Sequence, residues 1–194
     1  MIGACPRIKW WLVFGWTVAC LAKAVRADTW QGSAEVRFEA TSTLHDFAGT
    51  VRTQPFAGLV TFDDSVAILS ATASVAVADM DTRHAKRDMN MRKMFAADRF
   101  PLVTGVLERA RLEPPFPRQV PLRLTIRDHE QTVPAAITDV QSLDGRLRFN
   151  LALELSLRQC RLSPPVILGF IRVGDIVQVR LQVELEKPAG ADLP

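Results

Sequence analysis

Long apolar runs, paired cysteines and catalytic signatures are all scarce in this 194-residue chain, and each shortage excludes something. The apolar stretch near the start, WWLVFGWTVACLA, has 13 residues, whereas a membrane-spanning helix needs roughly 20. No HExxH helix, CxxC pair, Walker loop or GxSxG turn occurs, which removes the sequence-marked forms of metalloprotease, thiol-redox, nucleotide and serine-hydrolase chemistry. No internal repeat, low-complexity run or long linker divides the chain. Of Cys5, Cys20 and Cys160, two fall in the first segment.

That segment has the three parts of a secretory signal. Arg7 and Lys9 precede the apolar stretch, and Val25 and Ala27 stand at −3 and −1 of a cut before Asp28. A cleaved leader over residues 1–27 is expected, with an uncleaved anchor, or a lipoprotein acylated at Cys20, as alternatives. Removing it takes away Arg7, Lys9, Lys23 and Arg26 and no acidic residue, so a formal charge of +3 becomes −1. The basic balance therefore belongs to the leader and gives no reason to expect a nucleic-acid partner. Only Cys160 remains, so an internal disulfide is excluded.

Beyond the leader, the pattern is that of a sheet protein with one exception. Residues 147–158, LRFNLALELSLR, put Leu147, Phe149, Leu151, Leu153, Leu155 and Leu157 on one face and Arg148, Asn150, Glu154, Ser156 and Arg158 on the other. Period two marks a half-buried strand. VQVRLQVELE and VPLRLTIR repeat it, and weaker strands are read at 33–43, 47–54, 58–63, 66–78, 102–112 and 132–140. Asp63-Asp64, Pro114-Pro115, Asp144-Gly145 and Gly174-Asp175 are read as turns between them. The expectation is one all-β domain over residues 28–187, about eight antiparallel strands closed as a barrel or stacked as a sandwich, with a tail over 188–194. In strand 66–78 one face collects Leu69, Ala71, Ala73, Val75 and Val77, mostly small. Facing inward it leaves room for a ligand, since a barrel of this size either fills with side chains or holds one small molecule. Composition alone leans towards bulky residues from facing strands filling the gap.

The exception is MDTRHAKRDMNMRKMFAADRFP, residues 80–101, basic, Met-rich and free of Gly and Pro until its last residue. Asp81 or Thr82 is expected to cap a helical excursion near 82–97, which Pro101 ends. Met91, Met94 and Phe95 share one stripe. Such a stripe either seals a core, the commoner role, or gates a cavity with an adaptable lining.

TRHAKRDMNMRKMFAADRFPLVTG resembles the corresponding segment of the YceI-like, polyisoprenoid-binding proteins, with Arg87, Asp88, Met91, Phe95, Phe100 and Pro101 at the family's positions. TSTLHDFAGTV is similar to the family's first His-containing strand turn, LSPPVILGFIRVGDIVQVRLQVELE to its C-terminal hairpin, and PLRLTIRDHEQTVPAAI to the section between. The chain departs at Asn90, where many members have His, and at Cys160-Arg161, where Asp-Phe-Gly is common. The resemblance implies an extended lipocalin-like antiparallel barrel exported to the periplasm. It would enclose an amphiphilic isoprenoid ligand, a polyprenyl lipid or quinone side chain, with no required cofactor and no metal, and a homodimer is left open. It points to a tunnel wall and rim made by His45, Phe47, Leu69, Ala71, Ala73, Val75, Arg87, Asp88, Met91, Met94, Phe95 and Phe100.

The three histidines decide how far an enzyme must be considered. His84 stands four residues before Asp88, a spacing that on an exposed helix face is usually a minor stabiliser. His129 reads as a solvated turn residue. His45, with Asp46 beside it to set its tautomer, is the strongest functional candidate, although a structural hydrogen bond to a nearby loop is the safer reading. A lipid carrier is the leading expectation, ahead of an interaction module with a packed barrel and of a lipid-acting enzyme using His45.

Overall fold

The computed structural model describes residues 27–164 and 172–188. The leader up to Arg26, acylation at Cys20 and the tail from 189 onward lie outside the described residues. Among the described residues the period-two segments form nine strands: β1 (Ala27–Ser42), β2 (Phe47–Arg52), β3 (Phe56–Asp63), β4 (Val66–Ala76), β5 (Leu102–Leu112), β6 (Arg118–Ile126), β7 (His129–Leu143), β8 (Arg146–Ser156) and β9 (Val173–Glu186). The order is β2-β1-β3-β4-β5-β6-β7-β8-β9, every pairing is antiparallel, and β9 returns to β1 to close a barrel.

β2 and β3 lie end to end on the same edge of β1, where Glu35 pairs with Arg52 and Gly32 with Phe56, one residue out of step. Pro55, between them, has no N–H to give the ladder. One interrupted strand is thus counted as two, and the ring has the eight members expected of it. Asp144 and Gly145 adopt φ of 50° and 72° between the paired Leu143 and Arg146, the two-residue turn whose twist suits a hairpin.

Gly174-Asp175 corrects the turn reading, because both residues lie inside β9. The Asp175 carboxylate accepts from Ser156 Oγ at 2.7 Å and from the Arg158 N–H at 2.9 Å. A polar pair that would favour a loop is used here to clamp the end of β8 onto β9. These bonds, Ser156 first, hold the Asp175 carboxyl below its ordinary range.

The barrel is packed at one end and hollow at the other. Inward residues near the start of β1 and the ends of β3, β5 and β9 fill the interior: Trp30, Val60, Leu112, Val120, Leu147 and Leu185 are all buried. Trp30, 3% exposed, closes this end. Further along the same strands the inward positions become small: Ala34 and Ala40 on β1, Ala71 and Ala73 on β4, and Gly105 on β5, which pairs directly with Ala73. Bulky neighbours do not close the gap there, contrary to what composition favoured, because side chains at one height of a closed ring meet only what faces them.

Cys160 is buried beside Gln131, whose Nε2 donates to its Sγ at 2.7 Å. Burial pushes the thiol up to about 11, so it stays protonated and packs as a small hydrophobe. No helix among the described residues is long and apolar enough to cross a membrane.

Candidate functional site

The chain leaves β4 at the hollow end through a short 3-10 turn, Val77–Asp79, and crosses that end as α1 (Ala85–Phe95). AKRDMNMRKMF holds no β-branched residue, Gly or Pro, so it suits a helix. Its cap is His84, whose Nδ1 accepts the Arg87 N–H at 3.4 Å, which corrects the expected cap at Asp81 or Thr82. Both of those residues are already engaged. Asp81 bridges to Thr50 on β2 through two backbone bonds of 2.9 Å, and its carboxylate accepts the Arg83 N–H. Arg83 then adopts φ 58°, a left-handed conformation that delays the helix. At the far end Ala96, with φ 51°, stops it, and Arg92 and Lys93 in the last turn favour its dipole.

Thr82 is the hinge of a buried polar cluster. Its N–H and its hydroxyl donate to Asp88 Oδ1 at 3.0 and 2.5 Å, while the hydroxyl accepts from Arg87 Nε at 2.8 Å and the Thr82 carbonyl from Arg87 Nη2 at 2.9 Å. The Arg87 guanidinium lies 4.4 Å from the centre of the Phe47 ring, within cation–π range. The helix is thereby latched to the β4 exit and to β2. Replacing Asp88 by Ala strands both Thr82 donors, so Asp88→Ala should destabilise by about 3 kcal/mol, and Asp88→Asn, which keeps an acceptor, by clearly less. Equal unfolding free energies for the two variants would show that the latch is not what holds the helix.

Under α1 lies a cavity of about 580 Å³. Its wall is contributed by alternating residues of β1, β4, β5, β6, β8 and β9, including Phe38, Val103, Leu124, Phe149, Leu153 and Val179, and the helix adds Met91, Met94 and Phe95. Of the residues expected to form the site, Phe47, Leu69, Ala71, Ala73, Val75, Arg87, Met91, Met94 and Phe95 come together on this wall, and His45 reaches it from the β1–β2 loop. Asp88 and Phe100 do not line it. Asp88 sits behind Arg87 on Thr82, and the Phe100 ring lies 5.0 Å from the Arg99 guanidinium and 5.8 Å from that of Arg127. The Met stripe is therefore wall more than sealed core.

Sequence reasoning missed Gly105 and Phe38 as wall residues. A glycine inside an otherwise regular strand is itself a mark of close approach or empty space, and LVTGVLERARL carried that mark. No comparable mark distinguished Phe38.

The histidines are not gathered. His45 is exposed on its loop, where Asp46 accepts the Ser42 N–H at 3.2 Å through Oδ1 and the His45 carbonyl accepts from Ser42 Oγ at 2.6 Å. His84 is committed to its cap, so the spacing that suggested a pair with Asp88 is used by two different contacts.

The description "YceI-like domain" matches residues 28–185. Burkholderia cenocepacia BcnA aligns with a TM-score of 0.63 at 19% identity, covering 78% of this chain and 95% of that one. A polyisoprenoid-binding domain from Saccharophagus degradans, implicated in plant cell wall breakdown, gives 0.60 at 14% identity, covering 84% of this chain and 100% of that one. At these identities the likeness establishes the fold. No curated protein matches the sequence. Because the matched stretch takes in the barrel, the helix and the cavity wall together, the chain belongs to the YceI-like family.

Proposed function

We propose that the protein holds an isoprenoid-type chain, the tail of a polyprenyl lipid or quinone, in the hollow half of the barrel, as a periplasmic carrier or reservoir. The observation that carries this reading is the 580 Å³ cavity with an almost wholly apolar wall, which meets solvent where the lining residues Leu44, His45, His84 and Lys86 are exposed. Its size falls within the usual range for small-molecule sites, roughly 300–1,000 Å³. Each CH2-sized group moved from water onto such a wall contributes about 0.8 kcal/mol, so a branched hydrocarbon tail is retained without covalent chemistry. The Saccharophagus degradans neighbour, a polyisoprenoid-binding domain, supports the same class of ligand. Binding is favoured over catalysis because the carboxylates that would orient His45 and His84 accept from other groups, Asp46 from the Ser42 N–H and Asp88 from Thr82.

Native mass spectrometry of protein isolated from its host envelope, followed by organic extraction, tests the proposal. The expected result is a chain starting at Asp28 with a bound mass that extracts as a polyprenyl lipid or quinone. A bare chain that polyprenyl compounds do not protect against thermal unfolding would overturn it.

A further inference from the structure

The cavity wall is not uniform in chemistry, and its polar part has one sign. Apart from Thr53, whose Oγ1 accepts the Ala34 N–H at 2.9 Å, its polar side chains are Ser42, His45, His84, Lys86, Arg87 and Asn90. Ser42 and His45 come from the β1–β2 end, His84, Lys86 and Arg87 from the start of α1 and Asn90 from its middle. Because Leu44, His45, His84 and Lys86 are exposed, this is where the cavity meets solvent, its mouth. Two are basic, Lys86 and Arg87, three others carry N–H groups, and among the described residues no Asp or Glu lines the wall. The two nearest carboxylates in sequence are occupied, Asp46 by the Ser42 N–H and Asp88 by Thr82.

The cations are also available. Lys86 has no acidic partner among the described residues, and Arg87 uses Nε and Nη2 on Thr82, which leaves Nη1 without a protein acceptor among them. Arg87 is held rigidly by those bonds and by the Phe47 ring, so little freedom is lost when a ligand engages it. A neutral quinone ring needs none of this. An anionic group at the mouth, with its tail running down the apolar wall, uses all of it.

The geometry points to a head-group site for an anionic isoprenoid, a prenyl phosphate or diphosphate, built from Lys86, Arg87 and Asn90 at the mouth of the tunnel. The inference rests on the tail-binding reading above and adds the class of head group. Charge-assisted contacts to phosphate are among the stronger polar interactions, and they are weakened by salt where solvent reaches them.

The test compares dissociation constants of the delipidated protein for a polyprenyl monophosphate and for the alcohol of the same chain length. The phosphate should bind at least about tenfold more tightly at low salt, with the advantage shrinking as ionic strength rises. Lys86→Gln should remove most of that advantage, and Lys86→Arg should restore it. Lys86 is exposed, so these variants should fold even if Arg87 substitutions do not. Equal affinities for the two lipids overturn the inference and leave the carrier reading standing. Binding of neither overturns both. Displacement of the lipid phosphate by inorganic phosphate at millimolar concentration would mark a free-anion site and overturn the amphiphile assignment.

Discussion

Replacing Ala71 and Ala73 together by Leu should weaken isoprenoid binding on the order of a hundredfold while leaving the fold intact or slightly more stable. Both side chains point into the cavity from β4, beside Leu107 and Gly105 of β5. Two leucines fill wall space that the tail would otherwise occupy, at about 0.8 kcal/mol for each CH2-sized group excluded. Part of that loss is recovered if the tail shifts towards the mouth, which keeps the expectation near two decades. Thr72, between them on the same strand, is exposed on the outer face, so Thr72→Leu is the control and should leave affinity unchanged. Unchanged affinity in the double variant, with a normal melting temperature, would show that the ligand is held elsewhere.

The second large effect concerns the packed end. Trp30→Ala should cost about 3–5 kcal/mol in urea unfolding, the usual range for deleting a large aromatic from a core. Trp30 belongs to the buried cluster that closes the barrel, and its ring lies 6.2 Å from that of Phe62. Its indole Nε1 has no hydrogen-bond partner among the described residues, so the side chain contributes through volume more than through polarity. Trp30→Phe should accordingly cost only about 1 kcal/mol. A loss below about 1 kcal/mol for Trp30→Ala would mean that the floor collapses and refills without it.

The two substitutions act on one architecture from opposite ends, since one fills the hollow half and the other empties the filled half. The same inward faces build both halves. On β8, Leu147 is part of the packed floor while Leu151 and Leu155 line the cavity, although nothing in LRFNLALELSLR separates them.

The period-two faces were legible because strand geometry sends alternate side chains to opposite sides whatever the partners are. The helical excursion was legible for a local reason too, since residues 83–97 carry no breaker and end near a proline. The sequence by itself therefore determined the strands, which faces are greasy, the helix over one end and, through its motifs, the resemblance to the family. Only the tertiary structure decided where the barrel is hollow. That depends on Ala34, Ala71, Ala73 and Gly105 lining one stretch of the interior from strands far apart in the chain, and registers between strands are set by closure of the ring. The same dependence on long-range partners explains why Gly174-Asp175 became strand, why Asp88 turned to Thr82 instead of His84, and why Phe100 left the wall for Arg99 and Arg127.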